Sequence, residues 1–345
     1  MFSQHLIRWY SINKRDLPWR NTTHPYPIWL SEIILQQTRV EQGMPYYFKF
    51  LETFPTIFDL AKADESSILK LWQGLGYYSR ARNLHATAKH IAFKLDGKFP
   101  ETFEGLLKLK GVGHYTASAI GSICFDLPTP VVDGNVFRVL ARYFGIDTPI
   151  NSTQGIKEFR DLAETLIDKS QPATFNQAIM EFGATQCKPQ NPYCLHCPFN
   201  ESCVALQKNK IKDLPVKLKK TKVKQRYFNY LVFKTSSNES ILNERTLKGI
   251  WQNLYEFPLI ETETSINEEH LRSHDQFKNL IGANPFQIVL YNDKDIVHKL
   301  SHQHLHTKFW VVEIDTTPQE TVPIDSLKTY AVPVLISNFL EEYNF

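Results

Sequence analysis

Residues 187–203 read Cys-Lys-Pro-Gln-Asn-Pro-Tyr-Cys-Leu-His-Cys-Pro-Phe-Asn-Glu-Ser-Cys. This stretch holds four of the five cysteines of the chain, Cys187, Cys194, Cys197 and Cys203, in the spacing C-x6-C-x2-C-x5-C. Four thiolates this close in sequence can hold one metal centre. The fold of this region is therefore expected to bring the four thiols together around a shared ligand.

Three kinds of bond could join these cysteines. Disulfides are disfavoured, because the opening residues 1–6 lack the basic start and apolar run of a secretory signal. Structural zinc sites usually carry two C-x2-C knuckles, and only one is present here, so zinc stays open as an alternative. The looser spacing fits an iron–sulfur cluster better, and we predict a cluster loop at 187–203.

The length of 345 residues predicts two or three domains, and charge divides them. Residues 208–226 hold nine basic residues and one acidic residue, whereas 227–345 carry a net charge of −7. We predict an N-terminal domain at 1–207, a basic linker at 208–226 and a C-terminal domain at 227–345. The linker is either a solvated tether or a tether that also touches DNA phosphates. No apolar run approaches the ~20 residues of a membrane span.

Hydrophobic periodicity differs on the two sides of the linker. Before it, apolar residues recur at helical steps; after it, short runs have strand character. The predicted helices are 57–72, 84–95, 115–125, 175–182 and 335–343, and the predicted strands are 227–233, 286–290 and 309–314. The fold class is thus a mainly α domain followed by a smaller α+β domain.

Two glycines one residue apart, in Leu109-Lys-Gly-Val-Gly113, predict a tight turn before a helix that begins near His114. The backbone N–H groups of such a hairpin, together with the helix N-terminus, can hold a phosphate oxygen without reading sequence. Taken alone, a Gly-Val-Gly between helices is more often a plain connector. DNA contact at Gly111, Val112 and Gly113 is therefore a hypothesis.

Two carboxylates stand out as candidates for catalysis. Asp133 follows two apolar residues and opens an apolar helix, so it can be a helix N-cap or a charge that stabilises a positive sugar. Glu32 has Ile28, Trp29 and Leu35 as helical neighbours, which predicts a raised pKa and a role as general acid. The alternative for Glu32 is a partly exposed helix residue.

The stretch Gly74-Leu-Gly-Tyr-Tyr-Ser-Arg-Ala-Arg-Asn83 combines a turn, two aromatic residues and two arginines. This composition suits insertion into a base stack and contact with the DNA backbone. Two adjacent tyrosines are also ordinary core residues, so the segment decides nothing alone.

In this order, these features and the cysteines resemble the helix-hairpin-helix DNA glycosylases that contain an iron–sulfur cluster. Endonuclease III-type members carry a lysine just after the hairpin, where this chain has Tyr115. Adenine DNA glycosylases of the MutY type carry Leu-Gln-Gln-Thr, Gly-Leu-Gly-Tyr-Tyr and Asp-Gly-Asn, present here at 35–38, 74–78 and 133–135. The chain thus looks like a MutY-type enzyme.

The resemblance implies a role for each matching residue. Glu32 would protonate adenine at N7, and Asp133 would stabilise the oxocarbenium-like sugar, with help from Tyr115 and Asn135. Residues implied to line the adenine pocket are Trp19, Arg20, Leu35 and Glu181. Those implied to contact DNA are Gln37, Thr38, Leu75, Gly76, Tyr77 and the hairpin, and the four cysteines would hold one [4Fe-4S] cluster.

The C-terminal part resembles the Nudix-like oxoguanine-recognition domain of these enzymes. Its recognition loop, Phe-Ser-His in the family, reads Leu300-Ser301-His302, so we assign oxoguanine recognition to Ser301 and His302. Glu268-Glu269 lack the context of a Nudix hydrolase helix, so hydrolysis of nucleotides is not expected. Phe137 stands where some members carry a lysine, so little lyase activity is expected.

We therefore predict a monofunctional glycosylase of base excision repair that removes adenine opposite 8-oxoguanine or guanine. Its partner would be double-stranded DNA containing that mispair, and we expect a monomer without membrane attachment. The expected location is cytoplasmic and nucleoid-associated, of bacterial type. Two alternatives stay open: a pyrimidine or thymine-mismatch glycosylase on the same fold, and a DNA-binding module without catalysis.

Overall fold

The computed structural model describes residues 2–218, 223–317 and 319–345. The predicted linker residues 219–222 lie outside this description. Contacts divide the chain into two compact units, residues 1–62 with 83–219 and residues 63–82 with 220–345. Among the described residues, none of the helices is both long and apolar enough to cross a bilayer.

The first unit is helical. Prolines at the first helical positions and side-chain N-caps such as Thr102, Asp133 and Ser152 define several helix starts. Its helices are α1 (Phe2–Asn13), α2 (Pro25–Ile34), α3 (Val40–Thr53), α4 (Ile57–Lys62), α6 (Ser79–Lys94), α7 (Phe103–Leu107), α8 (His114–Phe125), α9 (Gly134–Phe144), α10 (Thr153–Leu166), α11 (Pro172–Thr185) and α12 (Val204–Gln207). Helix α5 (Glu65–Leu71) belongs to the second unit, and α6 crosses the boundary between the two units.

The predicted helix 57–72 is wrong as a single element. The structure has α4 and α5 there, because Asp64 adopts an extended conformation and begins α5 as its N-cap. An apolar pattern does not reveal such a break, since each short helix by itself buries apolar residues, Ile57 and Leu60 in α4 and Ile68 and Leu69 in α5.

The described parts of the basic stretch, 208–218 and 223–226, differ from a solvated tether, and its last residues from Lys224 onward already belong to β1 of the second unit. Leu214 is only 2% exposed and packs in the core of the first unit. Its carbonyl accepts a hydrogen bond from Arg142 Nε at 3.0 Å, and the Val216 carbonyl accepts one from Ile150 N at 3.0 Å. The apolar residues between the lysines thus attach this segment to the helical unit.

The second unit contains a five-stranded mixed sheet in the order β5-β1-β8-β6, with β7 also paired to β8. The long strands β1 and β8 run parallel, and the other pairs are antiparallel. The strands are β1 (Lys224–Thr235), β2 (Glu239–Ser240), β3 (Asn243–Glu244), β4 (Tyr255–Glu256), β5 (Leu259–Thr262), β6 (Phe286–Leu290), β7 (Ile296–Lys299), β8 (Gln303–Ile314) and β9 (Val322–Pro323). Helices α13 (Glu268–Ser273) and α14 (Asp275–Ile281) lie between β5 and β6, and α15 (Val334–Glu342) follows β9. The predicted fold class, mainly α followed by α+β, is confirmed.

Residues 63–82 belong to the second unit, which the sequence did not predict. Lys70 Nζ donates to the carbonyls of Lys328 at 2.6 Å and Tyr330 at 3.0 Å. Arg82 Nη1 donates to the Gln252 carbonyl at 2.7 Å. These long-range bonds place the stretch 74–78 in the same unit as residues 300–302. The domain boundaries at 207 and 227 stay a prediction.

Candidate active site

Glu32 lies in the last turn of α2, which packs against α8. Burial raises the pKa of its carboxyl group to about 7; a hydrogen bond with Tyr115 opposes the shift and the charge of Asp133 adds to it. A carboxyl group with this pKa is partly protonated at neutral pH and can donate a proton. Glu32 thus has the property that its apolar helical neighbours predicted.

Asp133 is the N-cap of α9. Its Oδ1 accepts hydrogen bonds from the backbone N–H groups of Asn135 at 2.9 Å and Val136 at 2.8 Å, and its Oδ2 accepts from Asn135 Nδ2 at 2.9 Å. Burial raises the pKa of Asp133, while these hydrogen bonds and Arg138 limit the rise. Asp133 is therefore both the N-cap of α9 and a buried acidic group, the two alternatives that the sequence suggested for it.

Tyr115, in the first turn of α8, stands between the two acids. Its hydroxyl lies 3.2 Å from Met180 Sδ and also hydrogen-bonds the Glu32 carboxyl group. Burial and the charges of Glu32 and Asp133 raise the pKa of Tyr115 well above its ordinary value. The tyrosine thus remains a neutral hydrogen-bond donor. The structure brings together all four residues predicted to be catalytic.

Glu181, on α11, is 1% exposed and is paired with two arginines. Arg15 Nε lies 2.7 Å from Oε1 and Arg20 Nη2 lies 2.7 Å from Oε2. Burial alone would raise the pKa of Glu181, but the hydrogen bonds from Arg15 and Arg20 outweigh it and the net direction is down. Sequence reasoning missed Arg15, because no local pattern links it to a residue 166 positions away.

The other predicted pocket residues lie in the same unit. Trp19 precedes Arg20 in a short 3-10 helix and packs edge-on against Tyr47 at 5.3 Å between ring centroids. Leu35 ends α2, one turn after Glu32. Beyond it, Gln37 has a φ of 56° and the Thr38 N–H donates to the Leu35 carbonyl at 3.1 Å. Gln37 is exposed, as a contact with DNA requires.

The hairpin joins α7 to α8. Gly111 has a φ of 80°, and a Cβ there would lie 2.8 Å from Asn83 Cβ, so glycine is required. A Cβ at Gly113, by contrast, would meet no atom within 4 Å. This open space in front of the α8 N-terminus leaves room for a phosphate.

The four cysteines line one cavity, whose walls include Val139, Tyr143 and Phe199. Phe199 N–H donates to Cys197 Sγ at 3.4 Å, and Arg142 Nη1 donates to Cys187 Sγ at 3.5 Å. Burial, with a smaller contribution from neighbouring thiols, raises the pKa of Cys197 to about 11, so a positive centre would be needed to hold thiolates here. This donor set fits an iron–sulfur cluster.

Two buried arginines on α9, which sequence reasoning missed, connect the cysteine loop to Asp133. Arg138 donates to Asn135 Oδ1 at 2.9 Å, to the Gly183 carbonyl at 2.7 Å and to the Cys187 carbonyl at 2.7 Å. Arg142 donates to the Lys188 carbonyl at 2.7 Å. The sequence did contain a pattern that could have revealed them, because Arg138 and Arg142 lie four residues apart in an otherwise apolar helix.

In the second unit, a cavity lies between the turn that holds Leu75, Gly76 and Tyr77 and the loop that holds Ser301 and His302. Trp72 Nε1 donates to the Gly76 carbonyl at 3.0 Å, which holds the turn in place. His302, His304 and His306 alternate along the chain but form no metal site: within the described parts of the chain, no group of three or more His, Cys, Asp or Glu residues is placed to hold a single ion. That finding includes the four cysteines, whose chemistry suits a cluster of several irons and not one ion.

Comparisons with known proteins agree with this architecture. The family model described as HhH-GPD superfamily base excision DNA repair protein matches residues 30–164, and a NUDIX domain model matches residues 229–342. Among solved structures, a thermostable thymine-DNA glycosylase is 32% identical with a TM-score of 0.56, covering 60% of this chain and 95% of its own. An endonuclease III–DNA covalent intermediate, at 22% identity and a TM-score of 0.53, covers 60% and 94% and shares the fold.

Two curated relatives span most of this chain. The adenine DNA glycosylase of Buchnera aphidicola subsp. Schizaphis graminum is 38% identical over 89% of this chain and 86% of its own length. That of Mus musculus is 33% identical over 93% and 72%, respectively. The chain therefore belongs to the adenine DNA glycosylases, DNA-repair hydrolases of the HhH-GPD superfamily.

Proposed function

We propose that this glycosylase removes adenine mispaired with 8-oxoguanine or guanine, by hydrolysis of the N-glycosidic bond. The observation that carries the proposal is the carboxyl group of Glu32, whose pKa of about 7 results mainly from burial, close to Asp133 and Tyr115. Two acids with different environments are suited to different tasks, one as a proton donor and the other as a fixed negative charge.

In the proposed reaction, Glu32 donates its proton to N7 of the flipped adenine. The bond between N9 and C1′ then breaks, and its electron pair leaves with the base. The Asp133 carboxylate stabilises the positive charge on the sugar, held in place by its bonds to Asn135 and Val136. Water adds to C1′ and loses a proton, and Glu32, now ionised, can accept it.

Lyase activity is not part of the proposal. Tyr115 occupies the place of the lysine of endonuclease III-type enzymes, and its buried hydroxyl does not form a Schiff base. Phe137 packs edge-on against Phe159 at 5.2 Å between centroids, where some members carry a lysine. Without an amine at either position, the abasic strand would be released uncut.

Cys187, Cys194, Cys197 and Cys203 would hold one [4Fe-4S] cluster. When bound, the cluster crosslinks the loop 187–203 through iron–thiolate bonds. The loop would present Lys188, whose carbonyl Arg142 already holds, to a DNA phosphate.

Binding to the mispaired duplex is assigned to both units. Hairpin residues Gly111, Val112 and Gly113 would hold a phosphate; Gln37, Thr38, Leu75, Gly76 and Tyr77 would enter the base stack; and Ser301 and His302 would read the oxidised base. Flipping adenine out costs a few kcal/mol, which these contacts would offset. We also propose a monomer, located with the bacterial nucleoid in the cytoplasm, with domain boundaries at 207 and 227.

A labelled duplex containing adenine opposite 8-oxoguanine tests the proposal, with a thymine–guanine duplex alongside because one similar structure is of a thymine-DNA glycosylase. We expect strand cleavage at the adenine, and only after alkali. Cleavage before alkali would contradict monofunctional action. Preference for the thymine–guanine duplex would replace the proposal by a thymine-mismatch glycosylase, and binding without cleavage in either duplex by a non-catalytic reader.

A further inference from the structure

Backbone strain in this protein concentrates at three residues. Nine non-glycine residues in the described ranges have a positive φ, and six of them are Asp or Asn, which tolerate this conformation. The other three are Gln37, Tyr77 and Trp251, with φ of 56°, 47° and 59°. A strained conformation of this kind persists where surrounding contacts enforce it, and it clusters at functional sites. Gln37 and Tyr77 are already assigned to the base stack; Trp251 has no assigned role.

Trp251 and Tyr77 both belong to the second unit. Both line the open cavity between the turn at 75–78 and the loop at 299–302, and the cavity volume of about 470 Å³ is sufficient for a purine. The Trp251 ring packs edge-on against Phe228 at 6.3 Å and lies 5.7 Å from the ring of His298, so its position is fixed.

The loop that carries Trp251 is anchored on both sides. Arg82 donates to the Gln252 carbonyl at 2.7 Å, and Asn253 Nδ2 donates to Glu65 Oε1 at 2.5 Å. Arg245 donates to the Ile250 carbonyl at 3.3 Å and pairs with the largely buried Glu256. These bonds explain how a tryptophan is held at positive φ, where its Cβ is disfavoured.

A tryptophan that serves only the core does not need this conformation. Trp310 in the same unit is 1% exposed, lies in the regular strand β8 and satisfies its Nε1 with Asn229 Oδ1 at 3.2 Å. Trp251, by contrast, lies in a turn outside the strands, is 8% exposed, and lines the cavity together with Ser301 and His302.

We propose that Trp251 is a specificity-determining residue, the aromatic wall against which the base opposite the excised adenine is held. Ser301 and His302 can read the edge of that purine only when its plane is fixed, and an indole surface fixes it through stacking or edge contact. Leu300, in the same cavity, offers no ring for this purpose. The inference rests on the proposed function, because it assumes that the opposite base is read in this cavity.

The test measures single-turnover excision of adenine opposite 8-oxoguanine, opposite guanine and opposite a tetrahydrofuran abasic analogue. We expect Trp251→Ala to reduce excision roughly tenfold, at subsaturating enzyme, when a purine stands opposite. Its rate opposite the abasic analogue should match that of the wild type. Trp251→Phe, which keeps an aromatic ring, should retain most of the wild-type excision rate when a purine stands opposite. Trp310→Phe is the matched control for the loss of an indole in the same unit.

Two results would overturn the inference. An equal loss on all three duplexes would mean a structural role only, and an unchanged purine preference would mean no role in reading. Should Trp251→Ala not fold, Trp251→Leu, which keeps volume without a ring, carries the same three-duplex test. A wild-type enzyme that excises adenine without regard to the opposite base would instead overturn the proposed function, so the two failures are distinguishable.

Discussion

Helices α2 and α11 of the first unit each carry a buried glutamate, and the pKa values of the two are shifted in opposite directions. Glu32 on α2 hydrogen-bonds Tyr115 and lies near the charge of Asp133, and burial raises its pKa to about 7. Glu181 on α11 is also buried, but Arg15 and Arg20 lower its pKa below the ordinary value. Burial alone therefore does not decide the protonation state; the presence of a cationic partner does.

This contrast separates a carboxyl group that can donate a proton near pH 7 from one that stays ionised. An unpaired buried carboxyl group destabilises the folded protein when it ionises, whereas a carboxylate with two arginines stabilises it. If the comparison is right, substitution of the two glutamates by glutamine will affect activity and stability in different proportions.

The largest expected effect is on excision by Glu32→Gln. Loss of the proton donor should lower the single-turnover rate about 10²- to 10⁴-fold, with duplex affinity little changed. Glu52→Gln, an exposed site on α3, is the control. A rate within a factor of three of the wild type would remove Glu32 from the proposed mechanism.

The second largest expected effect is a loss of folding stability in the Glu181→Gln variant. Because the substitution leaves two arginines without their counter-charge, we expect the free energy of unfolding at pH 7 to fall by about 3 kcal/mol. The loss should shrink in acid, since the paired carboxylate contributes stability above its unfolded pKa and loses it as pH falls through its folded pKa. Urea denaturation at several pH values measures both; a loss that is independent of pH would contradict the ion-pair explanation.

Glu32→Gln should have the opposite effect on stability. Between its ordinary pKa of 4.5 and its folded value of about 7, the native state binds the proton more tightly than the unfolded state. The free energy of unfolding of the wild type therefore falls as pH rises through this window. Glutamine does not titrate, so the variant should be more stable by about 1–3 kcal/mol at pH 8 and equal at pH 4. A variant that is less stable at pH 8 would mean that ionised Glu32 has a favourable partner.

The smallest expected effect is the pH dependence of the wild-type rate. If the reaction needs protonated Glu32, the single-turnover rate should fall about fivefold between pH 7 and pH 8, as the acid form is depleted. Stopped or quenched assays on one duplex across this range measure it. A rate that rises over the same interval would point to a base, and not an acid, as the limiting group.

Local patterns in the chain were enough to predict the helical and strand-rich parts, the hairpin before α8 and the burial of Glu32 and Asp133. Each of these depends on spacing within one segment: three apolar neighbours around Glu32, or a carboxylate at the start of an apolar helix. The family resemblance then supplied roles for residues such as Tyr115 and Ser301. The predictions of structure were confirmed where the deciding interactions span a few residues, whereas the roles stay predictions.

Other features were decided by contacts between distant segments. Arg15 reaches Glu181 across 166 positions, Lys70 binds carbonyls near residue 330, and residues 63–82 join the second unit. Trp251 acquires its φ of 59° only because bonds from Arg82 and Arg245 hold its loop. Spacing along the chain records which residues can share a helix face, but a pKa or a strained turn is set by the neighbours that folding supplies.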